Sequence, residues 1–200
     1  MNYSAAHGSL VIEDDFENEF VYLQKPTPSL FGLAGGQNVV YLGTFSRLLL
    51  PSIRISFMVL PPELSALYRK KADQYNQTAS KAEQIALCQF IRDGHLAAQT
   101  RKLKRLYSVK LKALRSAVRE VFGKDSQIQT GAAGTSLALT LSTTLTWQEL
   151  QKKAQTNGLR LQLLREAPGK ITLILSCSSM PVADFVPACK LLKDIRQIQN

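Results

Sequence analysis

Between Gly94 and Gly123 the chain repeats apolar residues at spacings of four and three: Leu103, Tyr107, Leu111, Leu114, Val118 and Val121. That period lays a single apolar stripe along one long helix, so a large part of the chain must pack against one helical face. The two glycines are its boundaries, Gly123 as a C-cap residue. The other faces are basic. From Arg92 to Lys124 there are ten Lys and Arg residues against only Asp93 and Glu120, which accounts for most of the formal net charge of +10. Such a charge permits a polyanionic partner without naming one. No aromatic stacking residues are interleaved with the basic ones and no helix-turn-helix partner accompanies them, so the basic residues read as a solvated helix face. A basic module contacting nucleic acid is the rival reading; it requires binding that weakens steeply with salt.

Around this helix the pattern changes twice. Ahead of it, Ser9–Ile12, Val39–Phe45 and Ile53–Leu60 are short apolar or β-branched runs that suit strands buried on both faces of an α/β sheet. Pro26, Pro28, Gly32, Gly35 and Gly36 mark the connection between the first two, and Pro61 and Pro62 close the third. Glu63–Cys88 reads as surface helices. Behind it, the Leu/Thr alternation of Ser136–Leu145 is a half-buried strand. Thr146 and Glu149 form a capping-box pattern for a helix over Trp147–Asn157, which Gly158 ends. Two further strands, Leu159–Leu164 and Ile171–Ser176, and an amphipathic helix over Val182–Ile195 complete a small α+β module.

With 45% hydrophobic residues among 200, the chain can bury a core and is not a disordered tail. Its cysteines, Cys88, Cys177 and Cys189, are odd in number and far apart, which excludes a disulfide framework and fits a reducing, cytoplasmic setting. His7 and His95 stand in no metal-ligand spacing, and no metal site is expected. No apolar run reaches the roughly 18–20 residues of a membrane span, and the acidic start is not a secretory signal. No nucleophile–base pair stands out. The GLAGG stretch, Gly32–Gly36, lacks the Lys-Ser/Thr of a P-loop and reads as a plain loop. Arg47 and Arg54 bracket a connection beside Thr44 and Ser46. Guanidinium and hydroxyl groups at a strand end can hold a phosphate through charge-assisted hydrogen bonds.

The ordered runs VIEDDFENEFVY (Val11–Tyr22), KPTPSLFGL (Lys25–Leu33) and VVYLGTFSRLLLPSIRISFMVLPPEL (Val39–Leu64) carry a resemblance. So does FIRDGHLAAQTRKLKRLYSVKLKAL (Phe90–Leu114). Together they resemble the aminotransferase-like effector domain of the MocR/GabR-type GntR regulators, which depends on pyridoxal phosphate. The similarity is clear over about the first 120 residues and continues in order, with weak identity, beyond them. It implies an α/β chain: part of a fold-type-I large domain over residues 1–94, then the connecting basic helix and a small α+β domain over 95–200. It also implies site roles. Asp14 matches the aspartate paired with the cofactor's pyridine nitrogen, where a carboxylate keeps the ring protonated as an electron sink. Thr44 and Ser46 match hydroxyls that bind the cofactor phosphate, and Arg54 the arginine paired with it.

The departures from the pattern bear on activity. The family's Schiff-base lysine, the last residue of TFSK, is Arg47 here. A guanidinium with a pKa above roughly 12 stays charged and is no amine nucleophile. Arg47 can only hold cofactor or phosphate electrostatically, so no catalytic residue and no covalent cofactor link are expected. Phe16 replaces a tyrosine that contacts the cofactor's phenolic oxygen, Ser52 a glycine, and Val21 an arginine. Arg165 is the candidate in the small domain for a substrate carboxylate. The resemblance also implies that the winged-helix domain and first half of the effector domain are missing, Met1 falling inside the helix before the Val11 strand. The expectation is a truncated, catalytically inactive effector domain without direct DNA contact or membrane attachment. A polypeptide supplying the missing half, or a homo-oligomer, would complete it, with a small amino-acid-like effector as ligand. The enzymatic alternative is an aminotransferase fragment with residual activity from another lysine.

Overall fold

A computed structural model describes residues 4, 6–15, 28–123, 126–130 and 134–197 of the chain. They form two compact units that divide inside the long helix, between Leu103 and Lys104.

In the first unit, three strands lie in the order β1 (Val11–Asp14), β2 (Val39–Thr44), β3 (Ser56–Val59). β1 runs parallel to β2, with Asp14 opposite Leu42; β3 is antiparallel to β2, with Thr44 opposite Ser56. A one-turn helix α1 (Leu30–Leu33) precedes β2. Helices α2 (Pro62–Lys71) and α3 (Lys81–Arg92) follow β3. Ser80 caps α3 by accepting from the Glu83 N–H. Gly94 then takes a φ of 77°, a left-handed conformation that glycine adopts without a Cβ penalty, and the chain turns into the next helix.

That helix, α4 (His95–Phe122), has 28 residues, about 42 Å of rise. Its last turns belong to the second unit, where Leu111, Leu114, Ala117, Val118, Val121 and Phe122 are buried. Against this stripe packs an antiparallel sheet ordered β4 (Ser126–Thr130), β5 (Ser136–Ser142), β7 (Lys170–Ser176), β6 (Gln162–Ala167). Strict alternation on β5 points Leu137, Leu139 and Leu141 into the core. The neighbouring Thr140 pairs across the sheet with Thr172 through their hydroxyls at 2.9 Å. Helices α5 (Trp147–Thr156) and α6 (Phe185–Gln197) add Leu150, Ala154, Phe185, Cys189, Leu192 and Ile195 to the same core. Lys193 donates to the Val121 carbonyl at 2.9 Å, satisfying one of the orphan acceptors at the end of α4.

Three sequence expectations need correction. The strands of the first unit are not buried on both faces: β3 is exposed throughout and β1 alternates between partly buried and exposed, leaving β2 as the most covered strand. Both strands pair on one side only among the described residues, so their outer edges lack the neighbours that would cover them. The GLAGG stretch is not wholly a loop. Glu13 and Ser29 satisfy the amides of residues 30–32 and wind the start of it into α1. And the small module begins with a strand, β4, that its polar sequence SQIQT does not announce. Phe16 and Val21 lie outside the described residues.

Candidate functional site

Asp14 and Thr44 are the last residues of two parallel strands, so both lie at the same, carboxyl end of the pair. In parallel α/β sheets that end is where ligands bind. Side-chain alternation and register place Asp14, Leu42, Thr44, Ser56 and Met58 on one face. These five, with Gly43 and Phe57, line a cavity of about 420 Å³. Three polar groups therefore converge over an apolar floor. Asp14 is exposed and Thr44 half-buried.

The segment after Thr44 is held by its own strand neighbours. The Phe45 N–H donates to the Ile55 carbonyl at 3.1 Å. The Thr44 hydroxyl leans on that carbonyl at 3.5 Å and accepts from the Ser46 N–H at 3.3 Å. The turn Pro51–Ile53 ends at Arg54, whose φ of 45° puts a non-glycine residue in the left-handed region. Ser46 and Arg47 are half-buried and Arg54 is exposed; all three sit on this connection and none lines the cavity. The structure thus brings together two of the five residues singled out in the sequence, Asp14 and Thr44, and leaves the other three beside them on the connecting segment. Arg165 lies on β6 in the second unit, exposed and opposite Thr172.

Sequence reasoning passed over Ser56, which only the register of β3 against β2 sets opposite Thr44. It also passed over the opposite face, which rigidifies the site. There the Glu13 carboxylate accepts from the Leu30 and Phe31 N–H groups at 2.8 and 2.9 Å, tying α1 to β1. Phe31 meets Tyr41 edge-on, and Tyr41 and Phe45 both lean on Phe57, with ring centroids 6.4, 6.2 and 5.3 Å apart. The Tyr41 hydroxyl donates to Asp15 at 2.6 Å, fixing the residue next to Asp14. No group of His, Cys, Asp and Glu among the described residues could hold a metal ion. No helix among them is long and apolar enough to cross a membrane.

No protein-family model matches the chain. Among curated proteins it is 32% identical over 197 residues to YdeL, an uncharacterized HTH-type transcriptional regulator of Bacillus subtilis (strain 168), covering 96% of this chain and 42% of that protein. It is 30% identical over 158 residues to the probable rhizopine catabolism regulatory protein MocR of Rhizobium meliloti, covering 79% of this chain and 32% of MocR. Among solved structures it matches LysN, the α-aminoadipate aminotransferase of Thermus thermophilus, crystallised with N-(5'-phosphopyridoxyl)-L-leucine. That match has a TM-score of 0.78 at 24% identity and covers 98% of this chain and 52% of LysN. The chain thus spans less than half the length of these two curated relatives. Pyridoxal phosphate is the cofactor of the family these proteins represent. The chain is a homologue of the C-terminal, aminotransferase-like domain of MocR/GntR-type transcriptional regulators, and its fold is that of part of a fold-type-I aminotransferase.

Proposed function

We propose that this chain is a catalytically inactive, aminotransferase-like effector domain of a MocR-type transcriptional regulator, one that retains pyridoxal phosphate without a covalent link. The observation that carries the reading is the shared cavity of Asp14 and Thr44 at the carboxyl ends of β1 and β2. Its donor set suits the two ends of that molecule: a carboxylate for a protonated pyridine nitrogen, hydroxyls for a phosphate. When bound, pyridoxal phosphate supplies an electron sink for charge developing on a substrate carbon.

Asp14 would hold the pyridine proton. Thr44 and Ser56 would offer hydroxyl donors, and Ser46 and Arg54 on the adjoining connection would add a hydroxyl and a guanidinium for phosphate. Arg47 supports the inactive assignment. It stands where the resemblance expects the amine that joins the cofactor, and a guanidinium stays protonated and cannot act as that nucleophile. Its charge still favours an anion nearby. Ligand occupancy rather than turnover would then be the regulatory signal, with a small amino-acid-like molecule as effector.

The uncovered apolar surface of the first unit supports a further part of the reading. Ile12, Phe57, Met58 and Val59 are exposed on strands whose outer edges are unpaired among the described residues. Such edges call for a neighbouring strand. A polypeptide supplying the rest of the sheet would provide it.

The test is a pyridoxal phosphate titration followed by borohydride reduction and mass spectrometry of the intact chain. Saturable binding that weakens in Asp14→Asn and Arg54→Gln, with no pyridoxyl-lysine formed, is the expected result. A stoichiometric pyridoxyl-lysine would overturn the inactive assignment in favour of an enzyme using another lysine. Absence of binding would overturn the cofactor site.

A further inference from the structure

The second unit contains a larger cavity, of about 540 Å³, in which the cofactor reading has no part. Its walls are Leu114 on α4, Phe185 and Cys189 on α6, Leu161 leading into β6, and Ile174 on β7. That volume lies within the range of small-molecule pockets, about 300–1,000 Å³, which combine apolar walls with a few polar groups that orient the ligand.

Among the described residues, its polar lining is Arg160, Gln162, Ser176 and Ser179, of which Arg160 alone is charged. Arg160 lines the cavity, is exposed, and has no hydrogen-bond or ion-pair partner among the described residues. Ser176 and Ser179 lie at the end of β7 and just beyond it. Between them, Ser178 shares a 2.8 Å hydrogen bond with the Ser176 hydroxyl and accepts from Lys110 Nζ at 3.0 Å through its carbonyl. Neither Lys110 nor Ser178 is part of the described lining. No Asp or Glu among the described residues lines the cavity; Glu120 on α4 acts on Cys189 without being part of the lining.

We infer that this cavity binds a small monocarboxylate with a compact apolar body, its carboxylate paired with Arg160. A largely apolar chamber whose one charged lining group among the described residues is the Arg160 guanidinium selects a ligand with one anionic end. It disfavours the amine of the same shape, which would meet Arg160 with like charge. The inference stands independently of the cofactor site.

The probes are 4-phenylbutyrate, 4-phenylbutanol and 4-phenylbutylamine, followed by NMR of the full chain. Saturable shifts at the Met180 methyl group and the Leu161 amide are expected, with the carboxylate binding at least about tenfold more tightly than the amine. Arg160→Gln, on an exposed residue, should raise the carboxylate Kd about tenfold, the loss of one charge-assisted hydrogen bond, and leave the alcohol unchanged. Ala188→Phe, which fills the cavity from α6, should abolish all three, with thermal unfolding reporting that the fold persists. Equal affinities for the three probes, or an Arg160→Gln variant that binds the carboxylate as before, would overturn the inference. So would sedimentation showing self-association that Ala188→Phe removes, since a second copy would then be the occupant.

Discussion

The outer edge of the Phe57 ring lies against the bare backbone of Gly43, its cross-strand partner. A Cβ on Gly43 would fall no farther than 3.0 Å from three of the ring atoms. Phe57 in turn carries Tyr41 and Phe45, so one missing side chain lets an aromatic cluster close behind the Asp14–Thr44 face. Gly43→Ala forces Phe57 off its position and should destabilise the first unit by about 1–3 kcal/mol, the usual cost of overpacking. Denaturant unfolding measures it. The double variant Gly43→Ala, Phe57→Leu should recover part of the loss. Equal stability of Gly43→Ala and the parent would refute the tight approach.

Glu13 works on the same face. Its carboxylate takes two amides at the start of α1, doing across 17 residues what an N-cap does locally. Glu13→Ala should cost about 1 kcal/mol, as loss of a cap does. It should also speed hydrogen exchange at the Leu30 and Phe31 amides while leaving the second unit's amides unchanged. Uniform exchange in parent and variant would mean that α1 is held by Ser29 alone.

Local chemistry made much of this readable in advance. The Thr146–Glu149 box is two residues three apart, and both of its hydrogen bonds form. The stripe from Leu103 to Val121 needs only helical periodicity, and α4 follows it between Gly94 and Gly123. What escaped depends on distant partners. β4 has the single apolar residue Ile128, and its pairing with β5 makes it a strand. α1 depends on Glu13, far away in sequence. The continuous apolar run of β3 suggested burial on both faces, yet the strand is exposed along its length among the described residues. At the site, the motif singled out Asp14 and Thr44 separately, and the parallel register of β1 and β2 puts them at one end of the pair. Ser56 joins them only through strand register, and no local signal in PSIR (Pro51–Arg54) foretells the left-handed Arg54.

The capping box also sets a pH dependence. The Thr146 backbone N–H, then its hydroxyl, hold the Glu149 carboxyl below its ordinary value, and Lys153 adds to this. A carboxylate whose pKa is lower folded than unfolded stabilises fully above its unfolded pKa, and that contribution is lost as pH falls through the folded value. The stability difference between the parent and Glu149→Gln should therefore be largest near neutrality and shrink below about pH 4, near the unfolded glutamate pKa. Unfolding curves across that range decide it; a difference independent of pH would assign the cap to geometry alone.

The three thiols should separate by reactivity. Cys88 is exposed, whereas Cys177 and Cys189 are buried. Burial, then the charge of Glu120, pushes Cys189 up to about 11, and burial also raises Cys177. At pH 8 only about one Cys189 in a thousand is thiolate, the reactive form. A thiol-exchange reagent should modify one cysteine quickly and the other two only on unfolding. Because the folded thiols titrate higher than the unfolded ones, stability should fall as pH rises from about 9 toward 11. Rapid modification of two sites in the folded chain would contradict the burial of Cys177 or Cys189.

Arg54 couples stability and binding in opposite directions. At φ 45° and ψ 33° it holds a left-handed conformation, which costs an L-residue with a Cβ roughly 1–2 kcal/mol and glycine almost nothing. Its side chain is exposed. Glycine gains conformational entropy when unfolded, which offsets part of the relief, so Arg54→Gly should stabilise the first unit by up to about 1 kcal/mol. The same substitution removes the guanidinium assigned to the phosphate, and pyridoxal phosphate affinity should drop about tenfold, the loss of one charge-assisted hydrogen bond. Arg54→Lys separates the two effects: it keeps the strained backbone and the charge but loses the planar fork, so stability should match the parent and affinity fall between the two. A glycine variant that binds as tightly as the parent would remove Arg54 from the site and leave its strained backbone to be explained by the turn after Pro51.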